Sequence, residues 1–237
     1  TSLCFSSNGS MFLASDIQKK IVVWDFLQGI PLFTIEGHKN SITDAMFTES
    51  GDYIVSTGFD GFIRFWKLHG RKPSRLFTVD GHYIKGADFA GDFVGMISRA
   101  DHLDIFNTRN QKHHLFKGHS GPIFDFKASS DGQLGAVAGW NTEITVFNIR
   151  ENKTVAVFKG NENAVTDLKF SKDNNYLISA GRDGSVRLFS LIKEKQVGIW
   201  KCSKGVAKNI DLSSNGKQVA VICESNEIYI LSTPELK

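Results

Sequence analysis

Three features of the sequence predict an all-β fold assembled from about six repeated units. The first is a bulky apolar residue that closes a strand-like run: Trp24 in IVVWD, Trp66 in FIRFW, Phe106 in LDIF, Phe147 in ITVF, Phe189 in VRLF and Leu231 in IYIL, at spacings of 42, 40, 41, 42 and 42 residues. The second is a Gly-His pair upstream of these positions, at Gly37-His38, Gly81-His82 and Gly118-His119, decaying to Gly160-Asn161. The third is the turn chemistry between the two markers, first ESGD, SSDG and SKDN, then GFDG, GWNT and GRDG. Short runs rich in Val, Ile and Phe, bounded by such clusters, read as strands joined by tight turns.

Taken in order, each unit begins with an inner strand: SLCF (2–5), ITDAMF (42–47), IKGADF (84–89), IFDF (123–126), VTDLKF (165–170) and VAKNIDL (206–212). Second strands follow, such as YIVS (53–56) and YLIS (176–179), then third strands ending at the recurrent aromatic. Fourth strands are read in PLFTIE, SRLFTV, HHLFK, TVAVFK and QVGIW. The last unit shows no fourth strand, so residues 1–237 are expected to form one repeat domain that is incomplete at both ends, part of a larger or tandem array.

A unit of roughly 40 to 45 residues with Gly-His near one end and Trp-Asp near the other resembles the WD40 repeat. The resemblance covers the whole chain and implies a β-propeller, in which each unit supplies a four-stranded blade that stacks on its neighbours because it cannot bury both faces alone. It also implies a hydrogen-bonded tetrad inside the blade, matched position by position by His38, Ser56, Asp60 and Trp66. Elsewhere the Asp position holds Ala100, Asn141 or Ser225, and Asp183 keeps its place beside Ser179 while Asn161 replaces the His and Phe189 the Trp. A Phe keeps the packing area and loses the indole N–H, so those units are expected to depend on burial more than on a polar network.

The same residue types serve nucleophilic catalysis. Here their spacing is that of the repeat, and GxxxxGK[ST], HExxH and GxSxG are missing from the sequence. The expectation is a non-enzymatic chain with no cofactor and no small-molecule substrate. His113, His114 and His119 offer imidazole nitrogens, but neighbours on a strand face opposite sides, so no metal site is expected from them. Cys4, Cys202 and Cys223 lie far apart, which is read as a reducing compartment without a disulfide framework. No apolar run reaches the roughly 18 residues a membrane helix needs, so a soluble intracellular protein without a membrane partner is expected. Asn8-Gly9-Ser10 matches a glycosylation acceptor and equally a tight turn, and the turn is the simpler reading.

The 19 Phe include Phe47, Phe89, Phe126 and Phe170 on inner strands, where packing explains them better than stacking on nucleic-acid bases. Basic charge is more informative. The net charge is +3, yet segment 67–75 alone carries Lys67, Arg71, Lys72 and Arg75, and segment 109–117 carries Arg109, Lys112 and Lys117. Both segments connect a third to a fourth strand in consecutive units, which predicts one basic patch open to RNA or to an acidic protein segment.

VVWDFLQGIPLFTIEGH, IVSTGFDGFIRFWKLHGRKPSRLFTVDGH, FSKDNNYLISAGRDGSVRLFSL and VAVICESNEIYIL together resemble the WD-repeat subunit of the UTP-B subcomplex of the small-subunit processome. That resemblance implies a nucleolar scaffold in pre-rRNA processing whose partners are other subunits of a large complex. The alternative is an adaptor in a spliceosomal, ubiquitin-ligase or transport assembly.

Overall fold

The computed structural model describes residues 2–48, 51–68, 73–78, 84–90, 93–98, 102–107, 110, 112–213 and 215–232; for 73–78, 84–86, 89, 90 and 98 it describes the backbone only. Among the described residues there are strands and turns and no helix, hence none long and apolar enough to cross a membrane. The strands form six antiparallel sheets, each made from consecutive chain. The first holds β1 (Leu3–Phe5), β2 (Met11–Ser15), β3 (Lys20–Asp25) and β4 (Pro31–Glu36). The second holds β5 (Ile42–Phe47), β6 (Tyr53–Gly58), β7 (Phe62–Lys67) and β8 (Pro73–Thr78). The third holds β9 (Ile84–Ala90), β10 (Phe93–Ser98), β11 (His102–Asn107) and β12 (His113–Phe116). The fourth holds β13 (Ile123–Ala128), β14 (Leu134–Gly139), β15 (Ile144–Asn148) and β16 (Lys153–Phe158). The fifth holds β17 (Val165–Phe170), β18 (Tyr176–Gly181), β19 (Ser185–Ser190) and β20 (Lys195–Lys201), and the sixth holds β21 (Ala207–Leu212), β22 (Gln218–Cys223) and β23 (Ile228–Ser232).

The chain divides into two compact units, Thr1–Ala87 and Asp88–Lys237. In each, the core lies between successive sheets, as expected for strands that are apolar on both faces. In the first unit Leu13, Ile21 and Val23 pack with Ile42, Ile54 and Trp66. In the second, Phe126 and Phe147 pack with Leu103 and Ile105, Ile144 and Val146 with Val165 and Leu177, and Val186 and Leu188 with Val219 and Val221. The third strand β19 is buried along its whole length and β15 along all but its last residue, whereas the fourth strands β16 and β20 are largely exposed.

The first strand of every sheet is an edge strand whose outward N–H groups need acceptors. Side chains from the preceding sheet supply them. Within the first unit Ser2 Oγ accepts from the Ala45 N–H at 2.8 Å and Asp44 Oδ2 from the Ala87 N–H at 3.4 Å. Within the second, Asp88 accepts from Ala128 at 3.0 Å, Asp125 from Leu168 at 2.8 Å and Asp167 from Ile210 at 2.8 Å. A register shift recurs beside these residues, at Ile42/Asp44, Ile123/Asp125, Val165/Asp167 and Ala207/Asn209, and such a bulge turns the strand so that donor and acceptor meet across the gap. Gathering carboxylates has an electrostatic cost. Burial, and then the nearby Asp125, raise the Asp167 pKa to about 7. Lys127 bonds Asp125 at 2.9 Å; burial alone would lower its pKa, but Asp125, Asp88 and Asp167 outweigh that and hold it above the usual lysine range.

The cysteine reading is corrected by the structure. Cys202 and Cys223 are joined by a disulfide with Cα atoms 6.2 Å apart. Their distance in sequence hid the pairing because it is the repeat that brings them together. Cys202 occupies the place of Gly37, Gly118 and Gly160 between sheets, and Cys223 that of Gly58, Gly139 and Gly181 at the end of the second strand. Disulfides persist in oxidising surroundings, so the cysteines give no support to a reducing compartment.

Closing a loop with a sequence separation of 21 residues stabilises by roughly 3 kcal/mol. Urea unfolding with and without dithiothreitol should show that loss on reduction, and coincident curves would contradict the pairing.

Candidate functional site

The second sheet gathers the four residues singled out in the sequence. His38 lies in the connection from β4 to β5, Ser56 on β6, Asp60 in the turn from β6 to β7, and Trp66 on β7. Two glycines let them close up. Gly37 has φ +154°, and a Cβ there would lie 2.8 Å from the Trp66 ring; a Cβ on Gly58 would lie 2.7 Å from His38 Nδ1. The Gly of Gly-His is therefore a space requirement of the indole behind it.

His38 Nε2 is 2.7 Å from Ser56 Oγ, and Nδ1 is 3.0 Å from Asp60 Oδ1. The Trp66 indole N–H donates to Ser56 Oγ at 2.8 Å, and the Lys39 N–H donates to Asp60 Oδ2 at 2.7 Å. The tautomer with Nδ1–H satisfies the Asp60 carboxylate, lets Nε2 accept the Ser56 hydroxyl proton and leaves a Ser56 lone pair for the indole N–H. Asp60, His38 and Ser56 thus repeat the order of a catalytic relay. Ser56 is only 1% exposed and Trp66 closes it off, so the hydroxyl has no route to a substrate. The arrangement ties the intersheet connection to two strands.

Arg64 is a fifth member that the sequence reading missed. Its Nη1 donates to Asp60 Oδ2 at 2.9 Å and lies 2.7 Å from His38 Nδ1, close enough for its charge to oppose protonation of the imidazole. Burial first, and Arg64 next, lower the His38 pKa, so the ring is neutral near pH 7. Burial alone would raise Asp60, but the Lys39 N–H, His38 and Arg64 outweigh it and hold the carboxyl below the usual range. The signal was present: Arg stands two residues before the recurrent aromatic only where Asp stands six before it, as Asp60/Arg64 and Asp183/Arg187. In the fifth sheet Arg187 donates to Asp183 at 2.7 Å and also meets Ser185, while Asp183 takes the Glu162 N–H at 3.0 Å. That sheet keeps a polar network without His or Trp, more than packing alone was expected to supply.

The other sheets lose it stepwise. In the fourth, His119 keeps its place, yet Val137 stands where the Ser would be, and both His119 Nε2 and Asn141 Oδ1 are buried without a partner. In the sixth, Ser203, Val221, Ser225 and Leu231 occupy the four positions, and the Cys202–Cys223 disulfide joins the connection to the second strand instead. Ala100 and Gly81-His82 lie outside the described residues.

Of the basic segments, Lys67, Lys112 and Lys117 are exposed, Arg75 lies on β8 with its backbone opposite Phe65, and Arg71, Lys72 and Arg109 lie outside the described residues. His113 is exposed, while His114 is partly buried with Nε2 unpartnered. Among the described residues no three His, Cys, Asp or Glu side chains are grouped to hold a metal ion. Phe47 and Phe126 are buried and Phe170 partly so, whereas the Phe89 side chain lies outside the description. Trp140 is 58% exposed, with the Arg182 guanidinium 5.7 Å from its ring centre.

A model of the family described as WD domain, G-beta repeat, matches residues 1–25, 29–67 and 152–190, so the chain carries WD40 repeats over those stretches, and its four-stranded antiparallel sheets are consistent with blades of that repeat. Periodic tryptophan protein 2 of Arabidopsis thaliana is 24% identical over 155 residues, covering 63% of this chain and 17% of that protein. Nuclear distribution protein PAC1 of Arthroderma benhamiae is 29% identical over 76 residues, covering 32% of this chain and 16% of that protein. Pre-mRNA-processing factor 19 homolog 2 of Arabidopsis thaliana is 22% identical over 157 residues, covering 63% of this chain and 29% of that protein. The matched chain thus spans less than a third of the length of each of these relatives.

Two tests address the tetrad. Asp60→Ala strands the Lys39 N–H, Arg64 and His38, and should lower unfolding free energy by on the order of 1–3 kcal/mol; an unchanged urea midpoint would contradict the network. The second test uses pH. The folded His38 pKa is depressed, so its contribution is full above the unfolded value of about 6.5 and is lost as pH falls through the folded value. The melting-temperature gap between the unaltered protein and His38→Gln should therefore narrow from pH 7.5 to pH 5, and a constant gap would contradict a neutral buried imidazole.

Proposed function

We propose that this WD40-repeat chain is a non-enzymatic interaction scaffold in a ribonucleoprotein assembly, with small-subunit ribosome biogenesis as the specific role. The observation that carries the reading is the likeness to periodic tryptophan protein 2 over 63% of this chain. It agrees with the resemblance carried by the runs around Trp24, Trp66, Phe189 and Leu231. The residues that could suggest an enzyme support the same conclusion: the Asp60-His38-Ser56 series is sealed beneath Trp66.

In this reading residues 1–237 act as one array, bound to other protein subunits in the nucleus and nucleolus, where the reducing surroundings would hold Cys202 and Cys223 as thiols. Lys67, Arg71, Lys72, Arg75, Arg109, Lys112 and Lys117 supply the contact to pre-rRNA or to an acidic protein segment. Propellers host many functions, so the site rather than the fold must select one. The likeness to nuclear distribution protein PAC1 and to pre-mRNA-processing factor 19 favours a second reading, an adaptor in another complex.

Affinity capture followed by sequencing of bound RNA and mass spectrometry of bound protein separates the two. Pre-rRNA with processome subunits is expected, and their absence alongside a spliceosomal or transport complex would replace the first reading by the second. Arg71→Glu with Lys72→Glu should weaken RNA capture by about tenfold or more and flatten its salt dependence by roughly 1.4 in log–log slope, with the melting temperature unchanged. Capture at full strength would remove the basic patch from the account.

A further inference from the structure

The turns between first and second strands bridge the fourth and fifth sheets through Ser130 and Asn174, and among the described residues no equivalent bridge joins Lys172 to Gly216 between the fifth and sixth. At the first junction the Ser130 N–H and Oγ both donate to Asn174 Oδ1 at 3.1 Å, and Oγ also lies 3.1 Å from the Lys172 carbonyl. Asn174 can do this because it holds the left-handed turn position, φ +55°, that Gly132 and Gly216 hold in neighbouring sheets. One repeat later the bridging pair becomes Lys172 and Gly216. Gly216 has no side-chain acceptor, and nothing lies within 4 Å of where its Cβ would be.

An opening of about 460 Å³ remains there, within the range of roughly 300–1,000 Å³ usual for ligand pockets. Its floor is apolar, formed by Tyr176, Ile178, Leu188 and Leu212. Lys172 stands on its rim, and a second depression of about 430 Å³, which includes Lys193 and Lys195, shares Tyr176 with it. All three lysines are exposed. The carboxylate in the lining, Asp173, is already engaged by Ser171 and by Asn175, whose side-chain amide donates at 2.8 Å.

We propose that this opening is a docking groove for a partner-protein segment that presents a leucine or phenylalanine flanked by Asp and Glu. The apolar side chain enters between Tyr176 and Leu212, where burial stabilises it. The flanking carboxylates meet Lys172, Lys193 and Lys195, which set orientation and partner choice. The groove uses no residue of the basic segments 67–75 and 109–117, so its test stands independently of theirs.

The closing variant is dictated by the neighbouring junction. Lys172→Ser with Gly216→Asn installs the Ser–Asn bridge, and Asn tolerates the φ of +67° at that turn. Fluorescence anisotropy on the intact protein, with labelled peptide EDELFDE, its uncharged counterpart QNQLFNQ and a labelled oligouridylate, reads the outcome. The acidic peptide is expected to bind saturably, the uncharged one at least about tenfold more weakly, and the double variant to fold normally while weakening the acidic peptide by at least about tenfold. Three results would overturn the proposal: no saturable binding of the acidic peptide, equal binding by the double variant, or displacement of the peptide by oligouridylate with the RNA bound more tightly.

Discussion

Everything in this architecture depends on how one sheet holds the exposed edge of the next. The inner strand of each sheet has a hydrogen-bonded partner on one side only, and buried N–H groups on the other side would each cost on the order of 1–3 kcal/mol if left unpaired. Ser2, Asp44, Asp88, Asp125 and Asp167 answer that need from the preceding sheet. The contacts are directional, so they set the register between neighbouring sheets, where apolar packing alone would allow sliding. Their consequence is a concentration of acid at the inner strands, which Lys127 offsets and which leaves Asp167 hard to ionise.

Within the sheets, a second constraint recurs with varied chemistry. The connection that enters each sheet must be tied to the second and third strands. The second sheet ties it with His38, Ser56, Asp60, Arg64 and Trp66, and the fifth with Asp183 and Arg187. The sixth uses a covalent bond between the two positions where other sheets require glycine for close approach. The fourth keeps weaker ties, with His119 Nδ1 3.4 Å from Thr145 Oγ1 and the Asn141 side-chain amide donating to Ser120 Oγ at 3.1 Å, and it is there that His119 Nε2 and Asn141 Oδ1 are buried without partners. Aromatic packing carries more of that sheet, with Phe116 stacked on Phe147 at 3.9 Å between ring centres.

This division of labour bears on function. Residues that resemble a reactive centre are engaged with one another inside the second sheet. The junctions are not equivalent. Ser130 and Asn174 seal one, whereas Lys172 and Gly216 leave the next open over an apolar floor.

The repeat was legible in the sequence because its aromatic, glycine and turn positions recur every 40 to 42 residues, and that periodicity located nearly every strand, including Ile42–Phe47, Pro31–Glu36 and Val165–Phe170 with their observed bounds. The tetrad positions were legible for the same reason. Arg64 and the inner-strand acceptors were also periodic: Ser2, Asp44, Asp125 and Asp167 all stand 22 residues before a recurrent aromatic. They escaped notice because a polar residue on a strand looks like solvent exposure until the neighbouring sheet is in place. The Cys202–Cys223 bond and the open junction were beyond the sequence alone. Both depend on distances between positions of different sheets or loops, and periodicity says which positions are equivalent without saying which ones touch.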